Sequence, residues 1–171
     1  MESISPRERR DLIAGFKREA LHLEMRDHYG GDGPWFDRWR AGDREGVKAD
    51  MKPWCDEVRA GVAAGKIYRR ICVVSEPLSE YQRWCHELND LKTEAGEDLR
   101  WAPRRLLSAV ALPGNDFWLL DGEVITFGVF DGNDLRTEIQ LSRDPATIRF
   151  CQDIFSRLWD LSIPHREYRP A

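Results

Sequence analysis

Apolar residues in the N-terminal segment recur at helical spacing. Four of them follow one another at steps of three or four positions: Leu12, Phe16, Ala20 and Leu23. This spacing predicts one face of a helix. Ser5 as cap, Pro6 in the first turn and Glu8 as partner in a capping box mark its start.

A glycine-rich loop follows this segment at residues 30–34, and Trp35, Phe36 and Trp39 beyond it predict a second, short helix. We therefore expect residues 1–52 to form an N-terminal helical cap with a mobile loop. Pro53 then predicts the start of a further helix that ends near Gly65.

A strand, a helix and a second strand follow in order. Residues 67–74 end in the apolar run Ile-Cys-Val-Val, which is typical of a strand covered on both faces. Ser79 and Gln82 have the spacing of a capping box and start a helix. Residues 98–102 predict the next strand, and the crossover rule makes it parallel to the first.

The C-terminal half shows strand periodicity around turn signals. Residues 116–120 and 123–127 flank Asp121-Gly122, a dipeptide that favours a type I′ hairpin. Residues 135–141 alternate apolar and polar side chains, as in a strand near a sheet edge. Asp144 and Pro145 begin a last helix, and the tail after Pro164 is expected to be loose.

These elements predict one α/β (α+β) domain over residues 1–171. Its sheet-containing core would span residues 53–163. We expect a mixed sheet of about five strands, with a parallel βαβ unit and an antiparallel meander, flanked by helices.

Composition limits the possible partners and the cellular location. The 171 residues carry a formal net charge of −4, which argues against general binding to nucleic acid. The start of the chain has no apolar segment of the kind found in signal peptides, and no run is long enough to span a membrane. We therefore expect a cytoplasmic protein that binds no membrane.

No motif indicates a metal, a cofactor or a known catalytic set. The chain lacks HEXXH, GxSxG, GxGxxG and the Walker-type glycine loop. The four cysteines have no paired CxxC spacing, and His22 and His28 are six residues apart, which places them off a common helical face. We assign no metal and no cofactor.

The first candidate binding stretch leaves the end of the predicted central strand. Ligand crevices form at such ends in open α/β sheets. Ser75, Glu76 and Arg83 offer a hydroxyl, a carboxylate and a guanidinium there. The structural alternative is that Glu76 and Ser79 cap the helix while Arg83 pairs with a neighbouring carboxylate.

The second candidate stretch is rich in charge. Glu97, Arg100 and Arg104 lie in or beside a turn with several acidic residues, and such groups are able to act as acids, bases or anion ligands. The structural alternative is that these groups are solvated on the surface of a turn. From residue order alone, both interpretations stay open.

Three segments in this order resemble an actinobacterial family known as domain of unknown function 6879. They are Val73–Tyr81, Glu94–Arg100 and Asp116–Asp121. Members are often found beside small helix-turn-helix regulators. The family layout is distantly similar to half of a phospholipase-D-like domain, yet this chain has no His-x-Lys sequence and so lacks that phosphohistidine chemistry. The chain departs from the family pattern at residues 84–86 and 127–130.

Two functions of different classes follow. The resemblance implies a non-catalytic regulatory or protein-interaction module that acts with a helix-turn-helix regulator. The alternative is an enzyme or small-molecule-binding protein of specialised metabolism that uses the crevice after residues 67–74, lined by the candidate residues named above. An oligomeric state is not indicated by the sequence.

Overall fold

The computed structural model describes residues 1–170 and contains one mixed sheet of eight strands. The strands are β1 (Glu2–Ser3), β2 (Glu19–Glu24), β3 (Ile67–Val74), β4 (Asp98–Pro103), β5 (Asp116–Leu120), β6 (Val124–Phe130), β7 (Arg136–Ser142) and β8 (Ile163–Pro164). Their spatial order is β1-β7-β6-β5-β2-β3-β4-β8. Strand β2 therefore lies in the middle, parallel to β3 and antiparallel to β5.

Helices cover both faces of the sheet. They are α1 (Pro6–Gly15), α2 (Gly33–Arg40), α3 (Arg44–Ala63), α4 (Glu80–Glu94) and α5 (Pro145–Leu161). Helix α5 packs its apolar side on one face of the central strands, and α3 and α4 lie over the other. None of the helices within residues 1–170 is long and apolar enough to cross a membrane.

Several local predictions are confirmed. Strands β3 and β4 pair in parallel around α4, and β5 and β6 form an antiparallel hairpin. Asp121 and Gly122 both have positive φ, at 56° and 69°, as a type I′ turn requires. Ser5 and Glu8 form the reciprocal capping box. The Ser79 side chain also accepts from the Gln82 N–H, but the Gln82 amide donates to the Arg26 carbonyl instead of closing a second box.

The predicted helical cap over residues 1–52 is wrong in its central part. Helix α1 ends at Gly15, and Ala20 and Leu23 belong to the central strand β2. The sheet therefore has eight strands, not about five, and it begins well before residue 53. The helix assigned to Pro53 starts earlier, at Arg44, with Asp43 as its cap.

The C-terminal tail is packed, contrary to the prediction that it is loose. His165 and Tyr168 are buried. The Tyr168 ring stacks on Trp101 with centroids 5.2 Å apart, and the Trp101 indole N–H donates to His165 Nδ1 at 2.8 Å. The apolar surface on which the tail packs belongs to β4, which is distant in sequence. The composition near residue 165 therefore does not reveal that the tail is packed.

The two faces of β2 differ in chemistry, and this difference positions the candidate site. Leu21 and Leu23 point to the apolar core under α5. His22 and Glu24 alternate with them and therefore point to the opposite face. Register places His22 beside Arg70 of β3 and Trp118 of β5, so a row of polar side chains crosses the middle of the sheet.

Candidate functional site

Two adjoining cavities open over this polar row and share Glu24, Asp32 and Trp35. One has a volume of about 260 Å³ and is bounded by α3 and α4. The other, of about 370 Å³, extends across β5 and β6 towards Arg9 of α1 and Arg136 of β7. We call the pair the polar-face cavity. It lies where the central strand changes from a parallel to an antiparallel neighbour.

A chain of buried charges forms the floor of the polar-face cavity. Arg70 donates from Nη1 to Glu24 Oε1 at 2.5 Å and from Nε to Glu97 Oε1 at 2.6 Å. Burial pushes the pKa of Glu24 upward, but the charges of Arg70 and Lys92 and the hydrogen bonds from Cys72 and Arg70 together hold this pKa below its ordinary value. Glu24 and Glu97 in turn raise the pKa of Arg70 despite its burial. Glu24 and Arg70 are therefore both ionised at neutral pH.

Cys72 lies beside this charge chain but is no nucleophile. Its thiol donates to Glu24 Oε2 at 3.3 Å. Burial, followed by the negative charge of Glu24, raises the pKa of the thiol well above its ordinary value. Because the thiolate is the reactive form of cysteine, Cys72 is inert at neutral pH.

His22 is stacked on Trp118, with ring centroids 3.9 Å apart and 20° between the planes. Burial and then the charges of Arg70 and Arg9 hold the pKa of His22 well below its ordinary value, so the imidazole is neutral at pH 7. Its Nδ1 atom is buried and has no hydrogen-bond partner within residues 1–170. Glu24 Oε1 lies 3.6 Å from this ring nitrogen, and the His22 ring lines the second cavity.

Asp116, at the start of β5, bounds the second cavity. Its carboxylate accepts from the Tyr29 hydroxyl at 2.5 Å and from the Met25 N–H at 2.9 Å. Burial raises the pKa of Asp116 to about 6. Tyr29 itself is held protonated, because burial and the nearby charge of Glu24 raise its pKa well above the ordinary value.

Aromatic side chains form the walls of the first cavity. Four tryptophans line it: Trp35, Trp54, Trp84 and Trp118. Trp54 and Trp118 meet edge to face at 5.9 Å, and the Trp54 indole N–H donates to Glu97 Oε2 at 3.3 Å. Trp35 is 40% exposed and lies at the mouth shared by both cavities.

The sequence matches a known family over nearly its whole length. The match to the family described as Domain of unknown function (DUF6879) covers residues 7–170. The chain belongs to this family. Among curated proteins, none matches the chain.

The DUF6879 chain also shares its fold with a solved structure. A phospholipase D family member, Nuc from Salmonella typhimurium, aligns with a TM-score of 0.53 at 12% identity, covering 96% of this chain and 94% of that chain. The distant phospholipase-D-like layout is thus confirmed. At such low identity the likeness concerns the fold alone.

The candidate residues of the first stretch serve separate contacts in the DUF6879 chain. Ser75 donates from Oγ to Asp27 Oδ2 at 2.5 Å. Glu76 accepts from the Tyr168 hydroxyl at 2.9 Å and from Arg105 Nε at 2.7 Å, which ties the tail to the loop. Arg83 is exposed on α4. These three side chains do not converge.

The second stretch is also divided. Glu97 is buried under the polar-face cavity, paired with Arg70. Arg100 lies over the Trp159 ring at 4.1 Å, on the side of the sheet that packs against α5. Arg104 contacts the Met25 carbonyl and lies 3.8 Å from Asp27. Only Glu97 of the six candidate residues therefore belongs to this site.

The sequence argument missed His22, Glu24, Arg70 and Asp116. The segment 21–24 reads Leu-His-Leu-Glu, an alternation of apolar and polar residues that is the signal of a strand with one polar face. The helical spacing of Ala20 and Leu23 obscured it. Within the described residues no group of three or more His, Cys, Asp or Glu is arranged to hold a metal ion.

Proposed function

We propose that this DUF6879 chain binds a small organic molecule in the polar-face cavity. The observation that carries this proposal is the row of buried polar side chains across the centre of the sheet. Buried charges cost stability unless they are paired, and apolar residues at the same positions are often at least as stabilising. A polar row under an open cavity is therefore better explained by ligand recognition than by folding.

The cavity walls indicate the shape of the ligand. Ligand pockets combine apolar and aromatic walls with a few fixed polar groups. Here the tryptophan walls of the first cavity favour a flat ring, since indoles stack or meet rings edge to face. The Arg70 charge chain supplies polar groups at its base, and the neutral His22 imidazole lines the adjoining second cavity.

Binding is better supported than catalysis. The Cys72 thiol is held protonated, and the Glu24 carboxylate is already engaged by Arg70 and Cys72. Ser75, the candidate ligand-binding hydroxyl, donates to a carboxylate and lines neither cavity. A general base must reach the proton that it abstracts, and Glu24 is occupied by other donors.

The role beside a helix-turn-helix regulator remains a prediction from the family resemblance. It is compatible with ligand binding, because a regulatory module needs a signal that changes its state. Under this proposal, the ligand in the polar-face cavity is that signal. Co-purification with a helix-turn-helix regulator from the same organism, with and without ligand, tests it.

Saturation-transfer NMR with a library of planar aromatic fragments tests ligand binding. We expect several fragments to receive saturation from the wild-type chain, and Trp35→Ala to abolish most of these signals. Trp35 is partly exposed, so its removal should leave the fold intact. Leu161→Ala removes a similarly exposed apolar residue on α5 and is the matched control. Equal signals from both variants would contradict the proposal.

A further inference from the structure

The acidic side chains that line the polar-face cavity all have hydrogen-bond partners in the protein, whereas several of the basic side chains have none in the part of the chain that the structure describes. Each of its carboxylates accepts from donors of the protein: Glu24 from Arg70, Asp32 from Tyr81, and Asp116 from Tyr29. Three of its cations have no side-chain hydrogen bond and no ion pair within residues 1–170: Arg9, Lys92 and Arg136. The cavity lining therefore carries unpaired positive charge, which an anionic group would neutralise.

Arg9 is the most constrained of these cations. Burial, and then the like charge of Arg136, lowers the pKa of Arg9 to about 10, although the charges of Asp116 and Glu24 act in the opposite direction. Its Nε atom is buried without a hydrogen-bond partner among the described residues. A buried N–H group without an acceptor costs free energy, and an anion that accepts a hydrogen bond from it would offset that cost.

Arg136 approaches the same cavity across Gly128 of β6. A Cβ atom at Gly128 would lie 3.5 Å from Arg136 Cδ and 3.1 Å from Phe130 Cε2. The stem of Arg136 therefore passes over the sheet face at ordinary contact distance from Gly128, and the closer neighbour of this glycine is the Phe130 ring. Arg9 and Arg136, from the first helix and the last long strand, converge on one side of the cavity.

We propose that the ligand carries an oxyanion group, a carboxylate or a phosphate, which Arg9 and Arg136 bind together. This rests on the proposed function, because it specifies the polar end of the ligand whose flat ring enters the tryptophan-lined cavity. Guanidinium forks match the oxygens of carboxylates and phosphates in pairs. Lys92, on α4, adds a further free cation to the tryptophan-lined cavity.

Isothermal titration with three related compounds tests this proposal. They are 3-phenylpropionate, phenyl phosphate and the neutral 3-phenylpropionamide. We expect the wild-type chain to bind at least one of the two anions at least about ten times more tightly than the amide. A tenfold difference in affinity corresponds to about 1.4 kcal/mol. The tighter of the two anions identifies the oxyanion.

The variants Arg9→Gln, Arg136→Gln and the double variant should reduce the anion affinity and bring it close to that of the amide. Arg10→Gln, on the exposed side of α1, removes the same formal charge and should keep the preference. Arg136 is exposed, so its variant is expected to fold. Circular dichroism checks this for each protein.

The outcomes separate the two proposals. Equal binding of anion and amide, or an anion preference that survives the double variant, overturns the oxyanion site while leaving ligand binding intact. If the Arg10→Gln control loses the preference equally, long-range charge explains the result and the site is also rejected. If no aromatic compound binds and the fragment signals are absent as well, the polar-face cavity is not a ligand site.

Discussion

Arg70 of β3 and Glu97, which precedes β4, form an ion pair with side chains only 6% and 2% exposed. The Nε to Oε1 distance is 2.6 Å, and the same guanidinium also holds Glu24. Glu97 therefore does not serve as a solvated turn acid, as its neighbours along the chain suggest. It anchors the cation that forms the floor of the polar-face cavity.

Replacing Arg70 should destabilise the protein strongly. Arg70→Met leaves two carboxylates without their main partner, and breaking a buried pair in this way costs about 3–5 kcal/mol. Urea unfolding followed by fluorescence measures the loss. Arg69→Met is the matched control, because Arg69 pairs with Glu19 at the surface, where such pairs contribute about 1 kcal/mol or less. Similar losses in both variants would be inconsistent with a buried charge chain.

The C-terminal segment should contribute substantially to stability. Tyr168 is 1% exposed, stacks on Trp101 and donates its hydroxyl to Glu76. We expect Tyr168→Ala to cost about 3–5 kcal/mol, as for other buried aromatic side chains. Tyr168→Phe, which loses only the hydrogen bond, should cost about 1 kcal/mol. Thermal melts of both, with the exposed Arg169→Ala as control, check this; a Tyr168→Ala melt equal to that of the control contradicts it.

The parts of the fold that were predictable are those with local causes. A cap such as Ser5 or Asp144, or the Asp121-Gly122 turn, depends on backbone geometry within four residues, and the sequence displays it. Strand β2 was missed because four apolar residues at helical spacing outweighed a four-residue alternation. Propensity and short patterns are weak evidence where tertiary packing decides.

The candidate site was less predictable, because it is assembled by strand register. His22, Arg70 and Trp118 are brought together by the pairing of β2 with β3 and β5, and no sequence spacing records that pairing. Glu97 was identified as a candidate but for a different reason. Ser75, Glu76 and Arg83 lie within nine residues of one another, yet Ser75 and Glu76 make separate contacts and Arg83 is exposed, so closeness in sequence was a poor guide.

Asp116 should make stability fall as the pH rises. Its pKa in the folded chain is about 6, above the ordinary value, so between about pH 4 and 6 the folded state binds more protons than the unfolded state. The stabilisation that protonated Asp116 contributes to the folded state is complete below about pH 4 and is lost by about pH 6. A shift of about two pKa units corresponds to about 3 kcal/mol.

The variant Asp116→Asn should remove this dependence. We expect it to melt above the wild-type chain at pH 7.5 and close to it at pH 4.5, in scans across that range. Asp160→Asn, at an exposed position of α5, serves as the control for loss of one negative charge. A variant that melts below wild type at pH 7.5 would show that the Asp116 carboxylate stabilises the fold as an anion.

Asp121 should show the opposite pH dependence, because it joins the hairpin turn to the start of β2. Its carboxylate accepts from the backbone N–H groups of Lys17, Arg18 and Glu19, at 2.8, 2.6 and 3.0 Å. Although partial burial favours the neutral acid, these donors hold the pKa of Asp121 below its ordinary value. Its contribution is therefore present above about pH 4 and is lost as the pH falls through the lowered pKa.

The variant Asp121→Asn keeps a residue that tolerates positive φ but removes the charge that the three N–H groups share. We expect a loss of about 1–2 kcal/mol at pH 7, since hydrogen bonds to a charged acceptor are stronger than those to an amide. The difference in unfolding free energy between the variant and the wild type should narrow as the pH is lowered from 7 to 3, because the wild-type carboxylate then becomes protonated. Asp153→Asn, exposed on α5, controls for the change in net charge. Urea unfolding at pH 7, 5 and 3 measures this difference in unfolding free energy. A constant difference across this range would mean that turn geometry, rather than the charge of Asp121, explains the loss.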